Sequence, residues 1–223
     1  MTFDLAIFDC DGVLVDTERL TVAIEARILT ELGWPHTTED VVTRFMGRTS
    51  EAQRDELHER LGAEKTRIFE QLSSAEIDAA FARELVPVAG VEALLDRLEA
   101  HGLATCVASS GSHAKMRRTL GLTGLYERFA GRIFSAGEVA HGKPAPDLFL
   151  HAAARIDADP GRCVVIEDSV YGVRAAVSAG MTAYGFAGGL TPADDLAAAG
   201  ADTVFHDMAE LAVLVDHFPS GSG

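Results

Sequence analysis

Lysine is scarce in this chain: of 19 Lys and Arg among 223 residues, only Lys65, Lys115 and Lys143 are lysines. Set against 34 acidic residues, the formal net charge is -15. Such a surface repels phosphate backbones and anionic lipid headgroups, so nucleic acid and membrane are poor partners. A small anionic ligand would then need a local positive site. Cysteine is scarce too: Cys10, Cys106 and Cys163 each lie in an apolar, strand-like run, and no pair has metal-ligand spacing. They read as small buried thiols of a reducing cytoplasm. No apolar run approaches the ~20 residues of a membrane span, and Asp4 interrupts the N-terminus before the apolar region of a signal peptide could form. No internal repeat is visible, and the end "PSGSG" (219–223) reads as a disordered tail.

Apolar residues are plentiful, at 48%, enough for a sizeable core. "FDLAIFD" (3–9) is a short β-like run that reads as a central strand. From Thr17 to about Leu85 the patterns are helical. "TERLTVAIEARILTELG" puts Leu20, Ala23, Ile24, Ile28 and Leu32 on one face, with Gly33 as its stop. "TSEAQRDELHERLG" has Ser50 three before Gln53, a capping-box spacing, and ends at Gly62. Two further helical patterns fill 64–84. Phe45 and Phe69 read as core of this block.

After "VPVAG" (86–90) strands and helices alternate. The strands are "LATCVASS", "GRIFSA", "RCVVIED", "TAYGF" and "TVF", and Asp194–Asp195 reads as the start of a helix between the last two. Alternation of this kind means an α/β fold, a Rossmann-like doubly wound parallel sheet. The helical block interrupts it as an inserted all-α domain over 17–86, leaving 1–16 and 87–223 as the α/β core.

In open parallel sheets, chemistry gathers at the carboxyl ends of the strands. Here those ends carry Asp9 and Asp11, then Ser109 and Ser110, then Glu167 and Asp168, while Lys143 lies in the loop "AHGKPAPD". Carboxylates crowded together repel one another unless a cation sits among them. Asp9 and Asp168, with Glu167, make a hard-oxygen site suited to a hydrated Mg²⁺. Ser109 can donate to a phosphate oxygen and Lys143 can supply the point charge. The chemistry that fits is phosphoryl transfer to Asp9, with Asp11 protonating the departing oxygen and then taking a proton from water.

Four stretches carry a family resemblance: "DCDGVLVDTE", Ser109 in "VASSGS", Lys143 in "GKPAPDLFL", and "IEDSVYGVRAA". The chain resembles the haloacid dehalogenase superfamily phosphatases whose helical cap is inserted after the first strand, and the match covers nearly its whole length. The resemblance implies Asp9 as nucleophile, Asp11 as general acid/base, and Mg²⁺ held by Asp9, the Asp11 carbonyl and Asp168 with Glu167 close by. It also implies that Ser109, its neighbour Ser110 and Lys143 bind the phosphoryl group. A monomer acting on a small phosphorylated metabolite is expected, a sugar, sugar-acid or polyol phosphate. Its readers would be Glu18, Thr21, Arg48 and His113.

Two rivals stand beside this reading. A β-phosphoglucomutase-like enzyme has very similar motifs, but carries a cap histidine where Thr21 aligns and a cap arginine where Ser50 aligns. A receiver-like phospho-acceptor would also use a strand-end aspartate, Mg²⁺ and a lysine, but needs neither a cap nor Asp11. Phosphonatases need a cap lysine, and the only one in the insert is Lys65, in a charged helical stretch.

Overall fold

Four consecutive residues, Leu5–Phe8, form β1, and all four side chains are buried. A strand buried on both faces belongs in the middle of a parallel sheet. In the computed structural model, which describes residues 3–45 and 50–215, β1 pairs in parallel with β2 (Ala104–Ser109) on one side and β4 (Cys163–Glu167) on the other. β3 (Ile133–Ser135), β5 (Thr182–Phe186) and β6 (Thr203–Phe205) complete six parallel strands in the order β3-β2-β1-β4-β5-β6. This is the doubly wound order, which reverses direction at β1.

Two compact units share the chain: Met1–Asp16 with Val86–Gly223, and Thr17–Leu85. The second junction thus falls one residue earlier than the end of the 17–86 insert expected above. In the α/β unit, Leu5, Ile7, Cys106, Ala108, Cys163, Val165 and Ala183 face one way. They pack against apolar residues of α6 (Asp147–Ile156), α7 (Val170–Ser178) and α8 (Ala193–Ala199). α4 (Val91–Ala100) packs on β2, α9 (Met208–Val215) on β6, and the two on each other. Phe8, on the alternate face of β1, meets Phe129 with ring centroids 6.3 Å apart. Each large apolar side chain buried this way contributes roughly 1.5–3 kcal/mol. The three cysteines are free and buried, and burial pushes their thiols upward, which makes them packing residues.

The chain leaves and re-enters the α/β unit side by side. Val15 bridges Pro87, and the Asp16 N–H donates to the Val86 carbonyl at 3.1 Å.

The helical unit holds α1 (Thr17–Glu31), α2 (Thr38–Phe45) and a helical run, α3, over Ser50–Glu84. α3 is broken only at Gly62, whose φ of 78° is left-handed. The stretch after Gly62 is one continuous helix where two helical patterns were expected, because 63–84 contains neither Gly nor Pro to interrupt the ladder. In α1, Leu20 and Ile28 are buried as expected, but the buried face is rotated toward Val22, Ala26 and Leu29, while Ala23 is exposed. Phe45 and Phe69 are core residues of this unit. Lys65 donates to the Leu32 carbonyl at 2.7 Å, closing the end of α1. Ser50's side chain, Arg48 and the 219–223 tail lie outside the described residues. Gln53 donates to the Phe45 carbonyl at 2.6 Å. Among the described residues, no helix is long and apolar enough to cross a membrane.

Candidate active site

Asp9 is the first residue beyond β1, and its N–H continues the ladder by donating to the Ile166 carbonyl at 3.0 Å. Glu167 ends the neighbouring strand β4, and Asp168 follows it. These side chains therefore emerge together where the strand order reverses. Lys143, in the loop before α6, donates to Asp9 Oδ1 and to Glu167 Oε1, each at 2.5 Å. The Lys143 side chain is only 4% exposed and that of Glu167 only 1%.

Charge is unevenly matched here. Burial pushes the Asp9 carboxyl up, Lys143 opposes it, and the negative charges of Glu167 and Asp11 push further; the net direction is upward. Burial opposes the charge on Lys143, but Asp9 and Glu167 outweigh it and hold its pKa above the ordinary lysine value. Glu167 was expected among the metal ligands. Its Oε1 accepts from Lys143 at 2.5 Å, and its Oε2 accepts from the Ser169 N–H and hydroxyl, each at 2.8 Å. These contacts hold the carboxylate against the lysine.

After Asp9 the chain turns sharply. Gly12 has a φ of 80°, and the Leu14 and Val15 N–H groups both return to the Cys10 carbonyl. This turn presents Asp11, whose Oδ2 accepts from Lys115 Nζ at 2.6 Å. Ser109, buried at the end of β2, accepts the Gly111 N–H at 3.1 Å through its hydroxyl oxygen, shaping the loop ahead of α5 (His113–Leu122). Ser110 beside it is exposed. Ser135 at the end of β3 donates to the Gly111 carbonyl at 2.7 Å, tying that loop to the next strand.

The residues expected to read the substrate fall in both units. His113 starts α5, and its Nε2 pairs with Glu138 at 2.8 Å. Glu18 and Thr21 sit at the start of α1 in the helical unit, and Thr21 donates its hydroxyl to the Thr17 carbonyl at 2.9 Å. Arg48 lies outside the described residues.

Two residues were missed by sequence reasoning. Lys115 was counted but given no task, because a helical lysine carries no local signal of a partner 104 residues away. Gly172, in α7, lies within "IEDSVYGVRAA", where a glycine inside a helical pattern does not by itself reveal what it passes. A Cβ built there would stand 1.8 Å from Glu167 Oε1, so only glycine lets the helix pass over that carboxylate.

Among the described residues, no three acidic, histidine or cysteine side chains converge as a metal cluster. The donors on hand are the buried carboxylates of Asp9 and Asp168, with the Asp11 backbone carbonyl on the turn that follows Asp9. They are hard oxygens, and Mg²⁺ takes only one or two protein carboxylates and keeps several waters. The surplus of negative charge around Lys143 is what such a cation relieves. These residues fit it.

A strand-end aspartate, a buried lysine and a second acidic strand end at the switch point define an α/β enzyme site for an anionic group. A sequence profile of haloacid dehalogenase-like hydrolases matches residues 3–180, and the chain belongs to that family. It is 31% identical over 185 residues to 6-phosphogluconate phosphatase of Escherichia coli, covering 82% of each chain. A phosphorylated carbohydrates phosphatase of Thermotoga maritima is 32% identical over 200 residues, 89% of this chain and 92% of that one. Among solved structures, a HAD family hydrolase of Deinococcus radiodurans with bound phosphate and sodium superposes with a TM-score of 0.83 at 30% identity, covering 96% of each chain.

Proposed function

We propose that this hydrolase is a Mg²⁺-dependent phosphatase of a small phosphomonoester, working through a phosphorylated Asp9. The observation that carries the reading is Lys143, buried between Asp9 and Glu167 at 2.5 Å from each. A buried ammonium beside a strand-end nucleophile is placed to take up a transferring phosphoryl group.

In the first step an Asp9 carboxylate oxygen attacks phosphorus, the ester P–O bond breaks, and Asp11 gives its proton to the departing oxygen. In the second, Asp11 takes a proton from water, whose oxygen attacks phosphorus and releases Asp9 and inorganic phosphate. Lys143 and Ser109 hold the phosphoryl oxygens throughout, with Ser110 at the loop's edge, and Glu167 keeps Lys143 in place. Asp9, Asp168 and the Asp11 carbonyl would hold Mg²⁺, which supplies positive charge to the phosphoryl oxygens.

The names of relatives that act on 6-phosphogluconate and on phosphorylated carbohydrates support a sugar, sugar-acid or polyol phosphate as substrate. In this reading the working form is a monomer of the cytoplasm, and Thr17–Leu85 is a cap that reads the leaving group. The test is a panel of hexose, pentose, polyol and sugar-acid phosphates against nucleotides, phosphoglycolate and phosphopeptides, with phosphate release measured with and without EDTA. Activity in EDTA equal to that with Mg²⁺ overturns the metal assignment. A best substrate that is a nucleotide or phosphopeptide overturns the substrate class, and conversion of a sugar phosphate to its isomer without phosphate release points to a mutase.

A further inference from the structure

Lys115 is one of three lysines in the chain, and it meets the residue assigned above as the proton carrier. Its backbone is set by Ser112, the N-cap of α5, whose hydroxyl accepts the Lys115 N–H at 3.3 Å. From there the side chain crosses Gly111. A Cβ on Gly111 would lie 3.5 Å from Lys115 Cδ, 3.5 Å from Ser109 Oγ and 3.8 Å from Asp11 Oδ2. Ser109, Lys115 and Asp11 are therefore gathered around one small residue of the phosphate loop. Nζ ends 2.6 Å from Asp11 Oδ2.

An ammonium has three donors and no acceptor. The oxygen it holds cannot at the same time point a proton at it, so a proton on Asp11 is directed to the other oxygen, Oδ1. We propose that Lys115 is a positioning residue for Asp11: it fixes the rotation of the carboxyl group and so which oxygen passes the proton to the leaving group. The inference rests on the reading of Asp11 as general acid and adds a residue to it. Lys115 itself neither touches the reacting oxygen nor moves a proton.

Leaving groups separate this role from others. An alkoxide departs only as it is protonated, whereas p-nitrophenolate departs without help. The measure is kcat/KM, which reports transfer to Asp9, for the best alkyl phosphate of the panel and for p-nitrophenyl phosphate at saturating Mg²⁺. With Lys115→Met in the full chain, the alkyl ester should lose about 10- to 100-fold, part of what a general acid contributes, and the aryl ester less than about threefold. Lys115→Arg, which also only donates, should recover most of the alkyl rate. Equal losses on both esters would make Lys115 a phosphate ligand, and no loss on either would make it a surface ion pair; each overturns the inference. If Lys115→Met fails to fold, Lys115→Gln is read by the same ratio of esters. A wild-type chain that hydrolyses no ester overturns the phosphatase reading itself, whereas an active wild type with ester-independent losses overturns this inference alone.

Discussion

Removing the Lys143 ammonium would leave Asp9 and Glu167 buried without the cation that each contacts at 2.5 Å. Breaking a buried pair costs about 3–5 kcal/mol, because the remaining charges lose their compensation. Lys143→Met should therefore lower stability by about that amount in urea titrations with EDTA present, and abolish turnover. Adding Glu167→Gln removes one stranded charge and should restore much of the stability but none of the rate. A single variant as stable as wild type would show that the pair does not form in solution. Asp9→Asn isolates the chemistry: an amide neither attacks phosphorus nor carries charge. Its phosphate release should fall at least about 10³-fold while the fold is kept, as read by circular dichroism. Of these residues, Asp9, Asp11, Ser109 and Asp168 were legible because an apolar β run that stops at a polar side chain marks a strand end. The partners of Lys143 and Lys115 were not, because an ion pair across 134 or 104 residues leaves no local pattern.

Helices and turns carry a second set of consequences. α7 passes so close to Glu167 that Gly172→Ala must displace that carboxylate, and with it Lys143. We expect a stability loss of about 1–3 kcal/mol, as for overpacking, accompanied by a fall in kcat. Unchanged kcat would separate Glu167 from the site. In the helical unit, Glu25 lies on the same side of α1 as Val22 and Leu29, and burial raises its pKa from the ordinary 4.5 to about 7. Below 4.5 the residue is protonated whether folded or unfolded and costs nothing. As pH rises toward 7 the unfolded chain loses this proton first, so stability falls, and the full penalty is present above 7. Glu25→Gln should thus stabilise the protein at pH 8, by on the order of 1–3 kcal/mol, with the gain vanishing in acid. A gain independent of pH would rule out burial of the charge as its cause. Strand and helix types were readable from periodicity, and β5 and β6 fall where the runs "TAYGF" and "TVF" stand. α2 was passed over, although its start carries a signal: Thr37 and Asp40 bond each other's N–H groups through their side chains. The rotation of α1 was not readable, since Ala23 and Ile24 are as apolar as the residues that the fold buries.

For the whole molecule, the balance of charge decides how substrate arrives. The site's two ammoniums, Lys115 and Lys143, stand against the carboxylates of Asp9, Asp11, Glu167 and Asp168. A bound divalent cation offsets the surplus of negative charge there. What an approaching phosphate ester meets at a distance is then the rest of a chain whose formal charge is -15. Enzymes that steer anions lose association rate as salt screens the attraction; here the far field is repulsive, and salt should relieve it. At saturating Mg²⁺, kcat/KM for a dianionic ester should rise or stay level as ionic strength goes from about 0.01 to about 0.15 M, over which the screening length shrinks from about 30 to about 8 Å. The control is kcat, which does not contain the encounter and should not follow the same trend. A kcat/KM that instead falls several-fold would mean that positive potential reaches well beyond the site.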